Sequence, residues 1–140
     1  MANIDTLTPL ARPGAGDRIP LIGVDKAIKS MLASAGGDPW MLGAVRVATT
    51  ANGTLSTAFE NGDTVDGVVL ATGDRILLKN QTTASQNGIY TVNASGAPTR
   101  ATDADADAEL PNAACFVAEG TTNADKAFVC TNNSVTLGST

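Results

Sequence analysis

The densest chemistry in the chain lies in "TDADADAEL", residues 102–110, where Asp103, Asp105, Asp107 and Glu109 alternate with apolar residues. Carboxylates at every second position are how a calcium loop begins, but an EF-hand also needs Gly at its sixth position and Glu at its twelfth. Counted from Asp103, those places hold Ala108 and Ala114. The expectation is a solvated acidic loop, with calcium binding of a non-EF kind as the alternative. Two carboxylates can also cleave a glycosidic bond, but their separation is set in three dimensions and no pair stands out here. Cys115 and Cys130 lie fifteen apart on either side of a turn-rich segment, so a cross-strand disulfide is geometrically conceivable. Two buried free thiols acting as small hydrophobes are the expected state, because reducing compartments rarely permit structural disulfides.

Other chemistry is excluded by what the chain lacks. It has no histidine, which removes the usual proton shuttle and the Ser-His and Cys-His nucleophile pairs. Two cysteines fall short of the four ligands of a structural zinc site. Neither a G-x-S-x-G motif nor a Gly-rich phosphate loop is present. No catalytic residue, metal or cofactor is therefore assigned. Four N-x-[ST] matches, at Asn52, Asn80, Asn93 and Asn132, are attributed to chance in an Asn- and Thr-rich chain without a leading signal pattern.

The elements that must position these residues are short. At 140 residues the chain suits one ordinary domain, and folding at this size buries roughly two thirds of the surface of the unfolded chain. Fourteen glycines, with abundant Thr and Asn, predict many turns and few long helices. Asp66-Gly67 within "TVDGVVL" is the sequence best suited to a two-residue hairpin turn. "DRILLKN" and "GIYTVN" form a second, wider hairpin across "QTTASQN", with Asn87-Gly88 fixing its turn, and "AACFVAE" pairs with "KAFVCT" across "GTTNAD". "VRVATT" alternates like a strand, and "SVTL" is a candidate edge strand. Ile76, Leu78, Ile89 and Val92 are the expected core. The fold class is mainly β: a compact antiparallel sandwich or small barrel built from hairpins, preceded by an extended arm and one short amphipathic helix.

The arm is residues 1–23, with three prolines and three glycines. The helix is "VDKAIKSMLASA", residues 24–35, in which Val24, Ala27, Ile28, Met31, Leu32 and Ala35 recur at helical spacing before Gly36-Gly37. "GGDPW" then reads as a hinge, with Trp40 a large packing anchor. Residues 1–44 form one segment and 45–140 the β domain. Ile19, Leu21, Ile28, Met31, Leu32 and Trp40 are the candidate partner-binding residues, since an arm can extend a sheet edge and an apolar helix face must bury against something. Covering the bottom of the chain's own β domain is the competing role for the helix. An echo of "GDRI" at Gly16 and Gly73 spans too few residues for a structural repeat.

Charge narrows the partners. Residues 1–35 hold four basic and three acidic groups, and residues 36–140 hold five basic and eleven acidic, a balance of −6 there within a total of −5. Such a surface repels phosphate backbones, so nucleic acid is not an expected partner. No run of about 18 apolar residues is present, so no membrane insertion is expected.

Three blocks in one register are the most specific features: D-G-V-x-L-x-x-G-D-R-[IV]-L-[LV]-K from Asp66, Q-x-x-x-x-x-N-G-[IV]-Y from Gln81, and E-G-T-x-N-A-D from Glu119. Together they resemble a module of tail fibres, spikes and related appendage proteins of tailed bacteriophages and gene-transfer-agent-like particles, over residues 45–140. The resemblance departs at "KAFVC", where a tryptophan is common, and past "TLGST", where such modules usually continue; a terminal strand is then missing or supplied by a neighbouring chain. It implies a non-enzymatic virion protein, a short fibre or spike or its base, assembled in the host bacterial cytoplasm. Its expected partners are other virion proteins (tail, baseplate, portal or collar, or capsid) and further copies of itself, as a trimer, with a host surface glycan as a further candidate. A capsid decoration or head-fibre protein and a carbohydrate-binding receptor module are the alternatives.

Overall fold

A computed structural model of the chain describes residues 40–138. The expected arm and helix, with Ile19, Leu21, Ile28, Met31 and Leu32, lie outside the described residues. The described chain is mainly β, in open sheets of largely antiparallel strands and not in a closed barrel. In chain order the strands are β1 (Val47–Ala48), β2 (Thr64–Val65), β3 (Val68–Val69), β4 (Arg75–Leu78), β5 (Gly88–Thr91), β6 (Thr99–Arg100), β7 (Ala114–Val117) and β8 (Lys126–Val129). A four-stranded sheet has the order β1-β4-β5-β6, and β2-β3 and β7-β8 form separate ribbons.

The hairpins sit where turn chemistry requires them. Val65 pairs with Val68 across Asp66 (φ +45°) and Gly67 (φ +83°), the two positive dihedrals that a two-residue turn demands. Leu78 pairs with Gly88 at the wider hairpin, and Val117 with Lys126 in the third. Asn87 corrects an expectation. Its backbone is extended (φ −67°, ψ 152°), and the loop is closed by a 3-10 turn at Ala84–Gln86 together with the Asn87 side chain, which accepts the N–H of Gln81 at 2.9 Å. "SVTL" forms no strand, a second correction: the N–H of Leu137 goes to Asp107 Oδ1 and that of Gly138 to the carbonyl of Ser85.

One segment stitches the sheets together. Met41 and Val45 bridge in parallel to Ala114 and Val117 of β7, and Val47 and Ala48 then pair in parallel with Ile76 and Leu77 of β4. The chain changes partner at Arg46, whose N–H bonds the Arg75 carbonyl while its own carbonyl accepts from Glu119 N. These parallel contacts depart from the expected all-antiparallel pattern.

The core follows from this stitch. Successive side chains of a strand point to opposite faces, so β1 and β5 divide between two apolar clusters. Val47, Ile76, Leu78, Tyr90 and Val92 pack with Phe59, Val65 and Leu70 on one face of the four-stranded sheet. Ala48 and Ile89 pack with Val45, Leu110, Cys115 and Val117 in the second cluster, beneath the β7–β8 ribbon. Both faces of the sheet are covered, which explains why "RILL" is apolar without strict alternation. Ile76, Leu78, Ile89 and Val92 are all at most 2% exposed. Each fully buried aliphatic side chain contributes about 1.5–3 kcal/mol.

Candidate interaction surface

The polar residues of the three motif blocks converge, but on the protein's own backbone. Asp66 Oδ1 accepts the N–H of Thr122 (2.9 Å) and Oδ2 that of Asn123 (2.8 Å), while the Asp66 carbonyl accepts from Thr121 N. The tip of the β2–β3 hairpin thus caps the loop of the β7–β8 hairpin. Asn123, 4% exposed, turns its Nδ2 inward and donates to the carbonyls of Ala48 and Thr49 at 3.2 and 3.3 Å. A buried amide with two carbonyl partners holds the stitch segment in place. Gly120 is required here, because at φ +135° an added Cβ would lie 2.5 Å from Asp66 Oδ2.

The G-D-R block works the same way. Asp74 Oδ2 accepts the N–H of Ala71 and pairs with Arg46, whose Nε reaches Glu119 at 3.1 Å. Arg75 forks onto Asp103, with Nη1 to Oδ1 at 2.8 Å and Nη2 to Oδ2 at 3.0 Å, and also donates to the Gly43 carbonyl. Gln81 makes a two-way bond with the backbone of Gly53, at 3.0 and 2.7 Å. Tyr90 is fully buried and donates its hydroxyl to the Gln86 carbonyl, with the Arg100 guanidinium 4.8 Å from its ring centre.

The acidic loop is similarly engaged. Asp103 holds Arg75 and accepts from Gly43 N; Asp107 accepts from Leu137 N; and Glu109 folds back to accept from the N–H groups of Asp105 and Ala106. Burial pushes the Asp103 carboxyl up, but the Arg75 and Gly43 donors outweigh it and hold the pKa below the usual value. Among the described residues no group of three or more His, Cys, Asp or Glu could hold a metal ion.

Both cysteines are free, Cys115 buried and Cys130 half-buried. Cys115 lies opposite Phe128, so Cys130 is its diagonal neighbour and not its direct cross-strand partner, and diagonal positions stand farther apart than the roughly 4 Å between Cβ atoms that a disulfide needs. Burial raises the Cys115 thiol to about 11, leaving it protonated at neutral pH. Both line a mainly apolar cavity of about 260 Å³ between the four-stranded sheet and the ribbon, with Leu42, Ile89, Leu110 and Phe128.

Part of what faces outward is apolar. Trp40 (55% exposed), Met41 (53%), Phe116 (39%) and Val129 (58%) are large side chains left at the surface. Met41, Ala114 and Val129 share one cross-strand row, and Phe116 pairs with Ala127 in the next. Of the candidate residues chosen from sequence, only Trp40 lies among those described; its carbonyl accepts the N–H of Ala114, beside this strip. Met41, Phe116 and Val129 escaped notice because β7 and β8 are apolar on both faces, so composition does not mark the outward one. Arg46 and Asn123 were missed because their partners lie more than 20 residues away.

No family model, curated protein or solved structure matches this chain. No helix among the described residues is long and apolar enough to cross a membrane.

Proposed function

We propose that the chain is a non-enzymatic structural virion protein, a short fibre or spike or the base of one, that joins the particle through residues 1–44 and presents its β domain outward. The observation that carries this reading is the destination of the motif polar groups. Asp66, Asp74, Arg75, Gln81, Glu119 and Asn123 each bond the chain's own backbone or a neighbouring side chain, the pattern of a rigid block. A catalytic centre instead needs polar groups aimed at an open site. The carbohydrate-receptor alternative drew on the acidic loop, and the internal bonds of Asp103, Asp107 and Glu109 weaken it. Assembly in the host bacterial cytoplasm, as a symmetric oligomer, belongs to the same proposal and follows from the motif resemblance.

Deleting residues 2–35 tests it. The truncated protein is expected to keep the far-ultraviolet signature of a folded β domain and to be missing from purified particles. Normal incorporation of the truncation would reject the assignment of attachment to the leading segment.

A further inference from the structure

The β7–β8 ribbon has one edge without a main-chain partner among the described residues. On one side, Ala114 and Phe116 of β7 bond the stitch segment, through Ala114 N to Trp40 O, Leu42 N to Ala114 O and Val45 N to Phe116 O. Alternation then turns Cys115 and Val117 toward β8, and Cys130 N accordingly donates to the Ala113 carbonyl. In the same register Phe128 faces β7, and the N–H and C=O groups of Ala127 and Val129 point away from it. An edge of this kind is a template for another strand.

We propose that this edge joins two copies of the chain, β8 against β8, antiparallel about a two-fold axis at Phe128. In that register Ala127 lies opposite Val129 of the second copy, and the two N–H groups from each copy meet carbonyls of the other. An isologous contact must be self-complementary, and this one is. Lys126 falls opposite Cys130 of the second copy, so no like charges face each other, and its Nζ is tied to the Thr122 carbonyl of its own loop. The outer rows then merge: Met41, Phe116 and Val129 of both copies form one apolar surface. Met41, Phe116 and Val129 are each more than a third exposed in the single copy. Pairing along one four-residue strand edge buries far less than the roughly 800 Å² per partner of a standard stable interface, so the dimer is weak, with a Kd on the order of 10 µM or higher. The proposal concerns the isolated protein and goes beyond the virion reading.

Sedimentation of the full chain between about 1 µM and 1 mM decides it. The expected result is a monomer–dimer equilibrium, at least about tenfold weaker in Val129→Lys, which brings a charge into the apolar row. Val129→Pro should act alike, since it removes an outward N–H that β7 does not use. Circular dichroism confirms that both variants are folded. Hydrogen exchange should slow at Ala127 and Val129, but not at Phe128, as concentration rises. A monomer throughout, or a trimer indifferent to both substitutions, overturns the proposal. A monomer with Ala127 and Val129 protected at every concentration also overturns it, showing residues 1–39 on the edge instead. Particle incorporation reads the virion proposal separately.

Discussion

Asp66 serves two structures with one side chain: it occupies a left-handed turn position at φ +45° and accepts the N–H groups of Thr122 and Asn123. Burial would raise its pKa, but the bonds from Asn123 and Thr122 prevail and hold it below the usual carboxylate range. Asp103 is lowered likewise by Arg75 and Gly43. A carboxyl with a depressed folded pKa contributes stability that is fully present above its unfolded value and is lost as pH falls through the folded one. Thermal unfolding midpoints should therefore hold above about pH 4.5 and decline below pH 4, less so in Asp66→Asn. Asn123→Ala leaves two buried carbonyls short of a donor and should destabilise by about 1–3 kcal/mol in urea unfolding. Cys115, held near 11 by burial, should resist iodoacetamide at pH 8 until the protein is unfolded.

Among the elements, the hairpins carry information that single residues do not. Gly67 and Gly62 both have positive φ, at +83° and +95°. Only Gly67 has a neighbour in the way, Thr121 Oγ1 at 2.5 Å from an added Cβ, while Gly62 has nothing within 4 Å. Both alanine variants meet backbone strain of about 1–2 kcal/mol, and Gly67→Ala should lose more, because it also dislodges the loop that Asp66 caps. Denaturant midpoints of the two variants make the comparison. Equal losses would show that the hairpin tip and the loop are energetically independent. The hairpins were legible because Asp-Gly and a Gly-bounded polar loop specify local dihedrals. β6 was not legible: Thr99–Arg100 is two residues long and exists only because β5 lies beside it. The failed strand at "SVTL" is the converse, a strand-like sequence with no ladder to join.

For the molecule as a whole, the stitch from Trp40 to Thr49 decides cooperativity. It bonds β7 through its first half and β4 through its second, so neither the ribbon nor the main sheet retains its packing if this segment leaves. Val45, 1% exposed, lies at the crossing and belongs to the cluster beneath the ribbon. Val45→Ala should cost about 1–3 kcal/mol and should accelerate hydrogen exchange in β4, β5, β7 and β8 together. Faster exchange in β7 and β8 alone would show that the two parts open independently.

Composition, turn residues and apolar runs determined that this chain is mainly β, where three hairpins lie, and that Ile76, Leu78, Ile89 and Val92 are buried, because those properties arise from each residue and its immediate neighbours. Tertiary structure alone decided that β1 runs parallel to β4, that Arg46 and Asn123 bind sheets distant in sequence, and that one apolar face of β7–β8 is outside while the other is core. These depend on which segments meet after folding. Local dihedral preference carries no record of that, and a strand apolar on both faces does not say which of them will find a cover.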